Sequence, residues 1–206
     1  MQPGGRPQLL IRAARLVLPA VVLIGALAAL GHALPVLPHR WELTVGESEN
    51  VYWANLFANH GSLYVHAGQP LIFPVYAPGF DVAAAPFSWI AGGDPWAGRL
   101  VSLLGVSFAA LAAMRIARRL GCEGPEWLSS GLAFLLLPSA SLVMIVARPD
   151  GLAVGLTAAL LWAATAWEDE HDRRALWLAG AAAVALLLTK QNFAPMVLAA
   201  LAPMAL

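Results

Sequence analysis

Two long apolar runs, Trp127 to Ala147 and Gly151 to Trp167, are parted by only three residues, Arg148-Pro149-Asp150. Neither run contains a charged residue. An uncharged apolar stretch approaching ~20 residues reads as a helix that crosses a bilayer. Inside lipid every backbone N–H and C=O must be satisfied within the segment, which a helix does. The junction therefore places an arginine and an aspartate at the ends of two spans. Charges at such depth are costly and mark a substrate or ion pathway.

The rest of the chain repeats the pattern. Soluble domains average roughly 45–50% apolar residues, whereas 60% of these 206 residues are apolar and the mean hydropathy is +0.70. The excess lies in blocks. Leu16 to Leu34, Trp96 to Ile116, Trp127 to Ala147, Gly151 to Trp167 and Ala175 to Leu188 read as five spans. Phe193 to Leu206 begins a sixth apolar run and stops after 14 residues, so the chain reads as incomplete. A cleaved signal peptide is the rival reading of the first run. That run exceeds the ~7–15 residues of a signal core, and more spans follow, so a retained helix is expected. The expected fold is an all-α polytopic bundle forming a single membrane domain.

Pro35 to Pro95 is a long outer loop containing most of the aromatic residues. Glu49, Tyr52, Trp53, Leu56, Phe57 and His60 recur at helical spacing, which predicts a short interfacial helix closed by Gly61. Pro70, Pro74 and Pro78 predict extended or turned chain from Ser62 to Gly79. Val82 to Ala91 reads as a second short helix, and Gly92-Gly93-Asp94-Pro95 as a turn. Net charge is zero, so there is no footprint of a nucleic-acid partner. The single cysteine, Cys122, has no partner for an internal disulfide. His60 and His66 lack metal-ligand spacing and His171 falls in a solvated charged loop.

Lysine and arginine concentrate in cytoplasmic segments. With the N-terminus inside, eight fall there (Arg6, Arg12, Arg15, Arg115, Arg118, Arg119, Arg173, Arg174) and four outside (Arg40, Arg99, Arg148, Lys190). In that orientation three distant polar features share the outer face: Gly46-Glu47-Ser48-Glu49, the Arg148/Asp150 pair, and Lys190-Gln191-Asn192. A carboxylate there can act as a general base on an acceptor hydroxyl. Arginine and lysine can hold a phosphate and stabilise charge developing on it as it leaves. Together with an apolar groove for a lipid tail, these suit sugar transfer from a lipid phosphate. Each group also has a structural reading. Glu47 and Glu49 suit a helix N-terminus, Arg148 and Lys190 suit snorkelling to headgroups, and Asp150 suits a cap on the helix from Gly151.

Several pieces, in order, resemble the GT-C superfamily of polytopic glycosyltransferases. The likeness is to family 39-like members related to protein mannosyltransferases and the lipid A aminoarabinose transferase. The pieces are Gly46-Glu47-Ser48-Glu49, Gly61-Ser62-Leu63-Tyr64, Tyr76-Ala77-Pro78, Trp96-Ala97-Gly98-Arg99-Leu100-Val101-Ser102, Ala117-Arg118-Arg119-Leu120-Gly121, Arg148-Pro149-Asp150-Gly151-Leu152-Ala153 and Leu188-Thr189-Lys190-Gln191. The resemblance implies an inverting transferase in a bacterial inner membrane. Its donor would be a polyprenyl-phosphate sugar, its acceptor a lipid or glycan, with membrane lipids around it. The first-loop acid, Glu47 or Glu49, would be the base. Arg148 and Lys190 would hold the donor phosphate, while Asp150, Gln191 and Tyr76 would orient substrate. The resemblance settles on no cofactor, and a divalent cation stays open. On one helix Glu47 and Glu49 would point about 160° apart, so one site cannot use both unless the helix starts after Glu47. The family usually has an aspartate in that loop and continues for several more spans. A non-catalytic membrane protein that binds lipid phosphate or scaffolds a partner is the alternative, and a transporter a third reading.

Overall fold

The computed structural model describes residues 5–63, 76–137 and 144–205. Among the described residues the regular structure is helical, with no strand. Three segments, Arg15–Val36, Trp96–Arg119 and Pro149–Asp169, are long and apolar enough to cross a membrane. Large apolar side chains such as Ile24, Leu111 and Trp177 are exposed on the outside of the bundle, as a lipid surround requires.

Helix α1 (Gly5–Ala33) contains Pro19 and ends in a 3-10 turn, Leu34–Val36. The outer segment then folds into α2 (Glu47–His60) and α3 (Gly79–Ala91). Gly61 closes α2 in the left-handed conformation at φ 66°, as expected of a C-terminal glycine. The buried face of α2 differs from the expected one. Glu47, Asn50, Trp53 and Ala54 are buried, while Tyr52 is 43% exposed. A buried ion pair at Glu47 sets the rotation, which hydrophobic periodicity alone does not register. Helix α3 begins at Gly79, three residues before the expected start. A Cβ at Gly79 would stand 2.7 Å from the Leu188 carbonyl and the Thr189 hydroxyl, so only glycine admits that approach. Most of the stretch expected to be extended, 64–75, lies outside the described residues.

Helix α4 (Trp96–Arg119) runs three residues past its expected end, because nothing breaks it before Gly121. Arginines are good helix formers and suit a C-terminus. Among the described residues of the expected third span, α5 (Glu126–Leu132) is α-helical and is followed by a 3-10 turn, Ala133–Leu136. Residues 138–143 lie outside the described residues, and 146–148 are non-helical. Helix α6 (Pro149–Glu170) starts two residues before the expected Gly151, with proline in its first turn, where a missing N–H costs nothing. Helix α7 (Arg173–Thr189) is capped by the Asp172 carboxylate, which accepts from the Arg174 N–H. A 3-10 turn, Gln191–Phe193, leads to α8 (Ala194–Leu201).

Helices α4 and α6 run parallel in very close contact. Gly98 faces Ala147, and Gly105 faces Gly151 and Gly155. A Cβ on Gly155 would come within 2.6 Å of the Gly105 carbonyl oxygen. Small residues at this spacing let two apolar helices approach backbone to backbone, where dispersion rather than water exclusion holds them. At one end of the bundle Arg119 pairs with Asp169 at 3.4 Å, Arg118 lies over Trp127, and Arg15 pairs with Glu126. At the other end meet α2, α3 and the starts of α4 and α6, together with the end of α7. There Ala54, Phe80, Ala84, Val101 and Ala147 form a buried apolar floor.

Candidate functional site

The polar end is built around a charge pair with no exposure, Glu47 and Arg99. Arg99 Nε donates to Glu47 Oε1 at 2.7 Å and Nη2 to Oε2 at 2.8 Å. The remaining guanidinium hydrogens go to backbone carbonyls of the strap after α1: Val36 at 2.8 Å, Trp41 at 2.8 Å, and His39. The carboxylate also accepts from the backbone N–H of Leu43 at 2.9 Å and of Ala147 at 2.8 Å. Burial by itself would raise the Glu47 carboxyl. The Arg99 guanidinium and the two backbone N–H groups outweigh it and hold the group below the usual carboxylate range.

This corrects one expectation. A general base must turn a lone pair toward the acceptor hydroxyl. Glu47 is enclosed and receives four hydrogen bonds, so it does not fit that role. The other candidate, Glu49, is partly exposed and faces α3. Its neighbour there is Asp81, 3% exposed in the first turn of α3, with Oδ1 lacking a hydrogen-bond partner. Burial, and then the charge of Glu49, push the Asp81 carboxyl up to about 7. Sequence reasoning missed Asp81 because it started the helix at Val82. The available signal was an acid in a first helical turn, next to the Pro78-Gly79 entry. It also gave Arg99 no role, since its partner lies 52 residues away.

The second cluster gathers four expected residues. Arg148 precedes α6 in extended conformation, φ −139° and ψ 156°. Its Nη2 donates to the Tyr76 hydroxyl at 2.9 Å, and its Nη1 reaches the Val45 carbonyl at 3.4 Å. Arg148 Nε lies 3.8 Å from Asp150 Oδ2, and both atoms lack a hydrogen-bond partner. Lys190, the C-cap of α7, bonds Asp150 Oδ1 and stands 5.7 Å from the centre of the Tyr76 ring. Asp150 thus does not cap its helix. Its carboxylate is drawn off to Lys190, 40 residues later. Gln191 is exposed in the following turn and makes no hydrogen bond to the cluster. Two cations, one carboxylate and one phenol leave a net positive charge, and Arg148 Nε is a donor without a partner, which suits an anion, while the unpaired Asp150 Oδ2 works against one.

Two depressions are lined by residues outside this cluster. An apolar groove of about 580 Å³ runs between α3, α4 and α6, past Phe87, Leu104, Phe108, Leu152 and Leu156. A polar recess of about 430 Å³ lies on the other side of α2, lined by Arg40, Glu42, Tyr52, Asn55 and Asp94 among others. Among the described residues no three His, Cys, Asp or Glu side chains gather as a metal ion would need. No protein family, curated protein or solved structure matches the chain.

Proposed function

We propose that the chain is a membrane glycosyltransferase that moves a sugar from a polyprenyl phosphate to a lipid or glycan hydroxyl. One observation carries this reading: Tyr76, Arg148, Asp150 and Lys190 converge at one end of the bundle from three separate parts of the chain. In this reading five spans and the start of a sixth cross the membrane. The N-terminus is cytoplasmic, and the polar end faces outward.

The donor phosphate sits against Arg148 and Lys190. The guanidinium offers paired donors and the ammonium a point charge. The apolar groove beside α4 accommodates the isoprenoid tail. Glu49 takes the proton from the acceptor hydroxyl, whose oxygen attacks the anomeric carbon. The bond from that carbon to the phosphate oxygen breaks, and its electrons leave with the phosphate, where the two cations stabilise the growing charge. Attack opposite the leaving phosphate inverts the anomeric centre. Asp81, beside Glu49, couples a second titrating carboxyl to the base.

The test is transfer of radiolabelled sugar from a polyprenyl-phosphate donor by the full chain in lipid. Glu49→Gln abolishes transfer while leaving donor binding intact. Transfer at the wild-type rate in Glu49→Gln removes the base assignment. The second reading, a non-catalytic lipid-phosphate binder, draws on the way Asp150 closes the two cations into a network. It is the outcome if the wild-type chain binds donor and never turns over.

A further inference from the structure

Val146 and Ala147 are fully buried and, with Arg148, belong to no helix, so the polar groups of this stretch need partners from elsewhere. Side chains of two other helices supply them. The Ala147 N–H donates to Glu47 Oε1 at 2.8 Å. Asn50 Nδ2 donates to the Ala147 carbonyl at 3.1 Å. Ser102 Oγ lies 2.8 Å from the Val146 carbonyl and 3.0 Å from that of Arg148, sharing its one hydrogen between them. The Arg148 N–H closes back on the Val146 carbonyl at 2.7 Å. From behind, Gly98 lets Ala147 approach α4 closely enough for these bonds to form.

We infer that Glu47, Asn50 and Ser102 are positioning residues that fix the backbone of Arg148, and through it the place of its guanidinium. The inference rests on Arg148 being a phosphate ligand. Glu47 is the centre of the device. It is locked by Arg99, which is itself tied to the carbonyls of Val36, His39 and Trp41. The strap that follows α1 is therefore joined through Arg99 and Glu47 to the backbone of the ligand arginine, whose own side chain bonds Val45 and Tyr76 instead. The hydrogen bonds of Asn50 and Ser102 go to backbone carbonyls and not to the Arg148 side chain. Their effect on a ligand passes through main-chain placement, and a site displaced by a fraction of an ångström loses its directional bonds.

The experiment compares farnesyl phosphate with farnesol, which lacks only the phosphate. Binding is measured on the full chain in phosphatidylcholine nanodiscs. Arg148→Gln weakens farnesyl phosphate about tenfold and leaves farnesol unchanged. Glu47→Gln is the direct variant. Asn50→Ala and Ser102→Ala keep the test open should that protein not fold. Each weakens farnesyl phosphate about fivefold, with farnesol affinity close to wild type in the folded protein. If Arg148→Gln acts selectively and the Asn50 and Ser102 variants bind as wild type, the positioning role is overturned. It is equally overturned if they weaken both ligands alike, which marks a purely structural role. If Arg148→Gln itself changes nothing, the phosphate reading fails first.

Discussion

Replacing Glu47 with leucine strands a guanidinium that has no access to water. Arg99 loses both of its carboxylate bonds, at 2.7 and 2.8 Å, and the N–H groups of Leu43 and Ala147 lose their acceptor. Removing one partner of a buried pair costs about 3–5 kcal/mol, most of it from the charge left behind. Arg99→Met alone is expected to cost as much, since it strands the carboxylate and frees the carbonyls of Val36, His39 and Trp41. The double replacement buries no orphaned charge. It still leaves the Ala147 N–H unpaired, which costs about 1–3 kcal/mol. The double variant is therefore no less stable than the worse single variant. The coupling between the two positions reaches about 3 kcal/mol, the upper range for residues in contact. Denaturant unfolding of the detergent-solubilised chain, followed by helical circular dichroism, measures all four corners of the cycle. Additivity within about 0.5 kcal/mol would show that the two groups do not meet, and would undo the account of this end of the bundle.

Three further outcomes are expected. Gly105→Leu and Gly151→Leu prise α4 from α6 and lower stability by about 1–3 kcal/mol, whereas Gly31→Leu and Gly180→Leu, where an added Cβ meets nothing within 4 Å, cost nothing; equal effects at all four sites in thermal unfolding would refute the close seam. Folded Asp81 titrates at about 7 instead of its ordinary 3.8, so between those values the folded chain holds a proton that the unfolded chain has lost. Stability must then fall as pH rises through that window and level off above it, and Asp81→Asn must remove this slope in a pH series of unfolding curves. A topology reporter fused after Asp150 reads outside and one fused after Arg174 reads inside; the reverse pattern would split the proposed site from the outer face.

The sequence carried the all-helical character and the apolar segments Arg15–Val36, Trp96–Arg119 and Pro149–Asp169, because their signals are local. Apolar runs and Gly61 and Gly92 at helix ends each act within a few residues, whereas Pro149 in a first turn was passed over. It also carried much of the polar cluster, since a charge beside an apolar run is conspicuous wherever it pairs. Arg148, Asp150 and Lys190 were visible in this way, whereas Tyr76 read locally as part of a turn and entered only through the family resemblance; nothing local indicated that the four would touch. Pairings across long separations were not legible. Glu47 and Glu49 are two acids two residues apart with the same local chemistry, and only Arg99 on another helix separates a buried lock from a partly exposed carboxylate. The close seam of Gly98, Gly105, Gly151 and Gly155 was hidden for a related reason. Glycines in apolar helices attract attention only once their partner helix is known. Asp81 was lost to a boundary error of three residues, itself caused by the contact of Gly79 with Leu188 and Thr189.

The central claim is that Arg148 and Lys190 hold a lipid phosphate whose tail follows the groove beside α4. A photoreactive polyprenyl phosphate, crosslinked to the full chain in lipid and mapped by peptide mass, tests it most directly. The account predicts adducts along the groove, on the segments holding Phe87, Leu104, Phe108 and Leu152. They must vanish with excess unlabelled polyprenyl phosphate and in the Arg148→Gln/Lys190→Gln double variant. Adducts spread over the lipid-facing surface of α1, insensitive to competitor and to both substitutions, would contradict it.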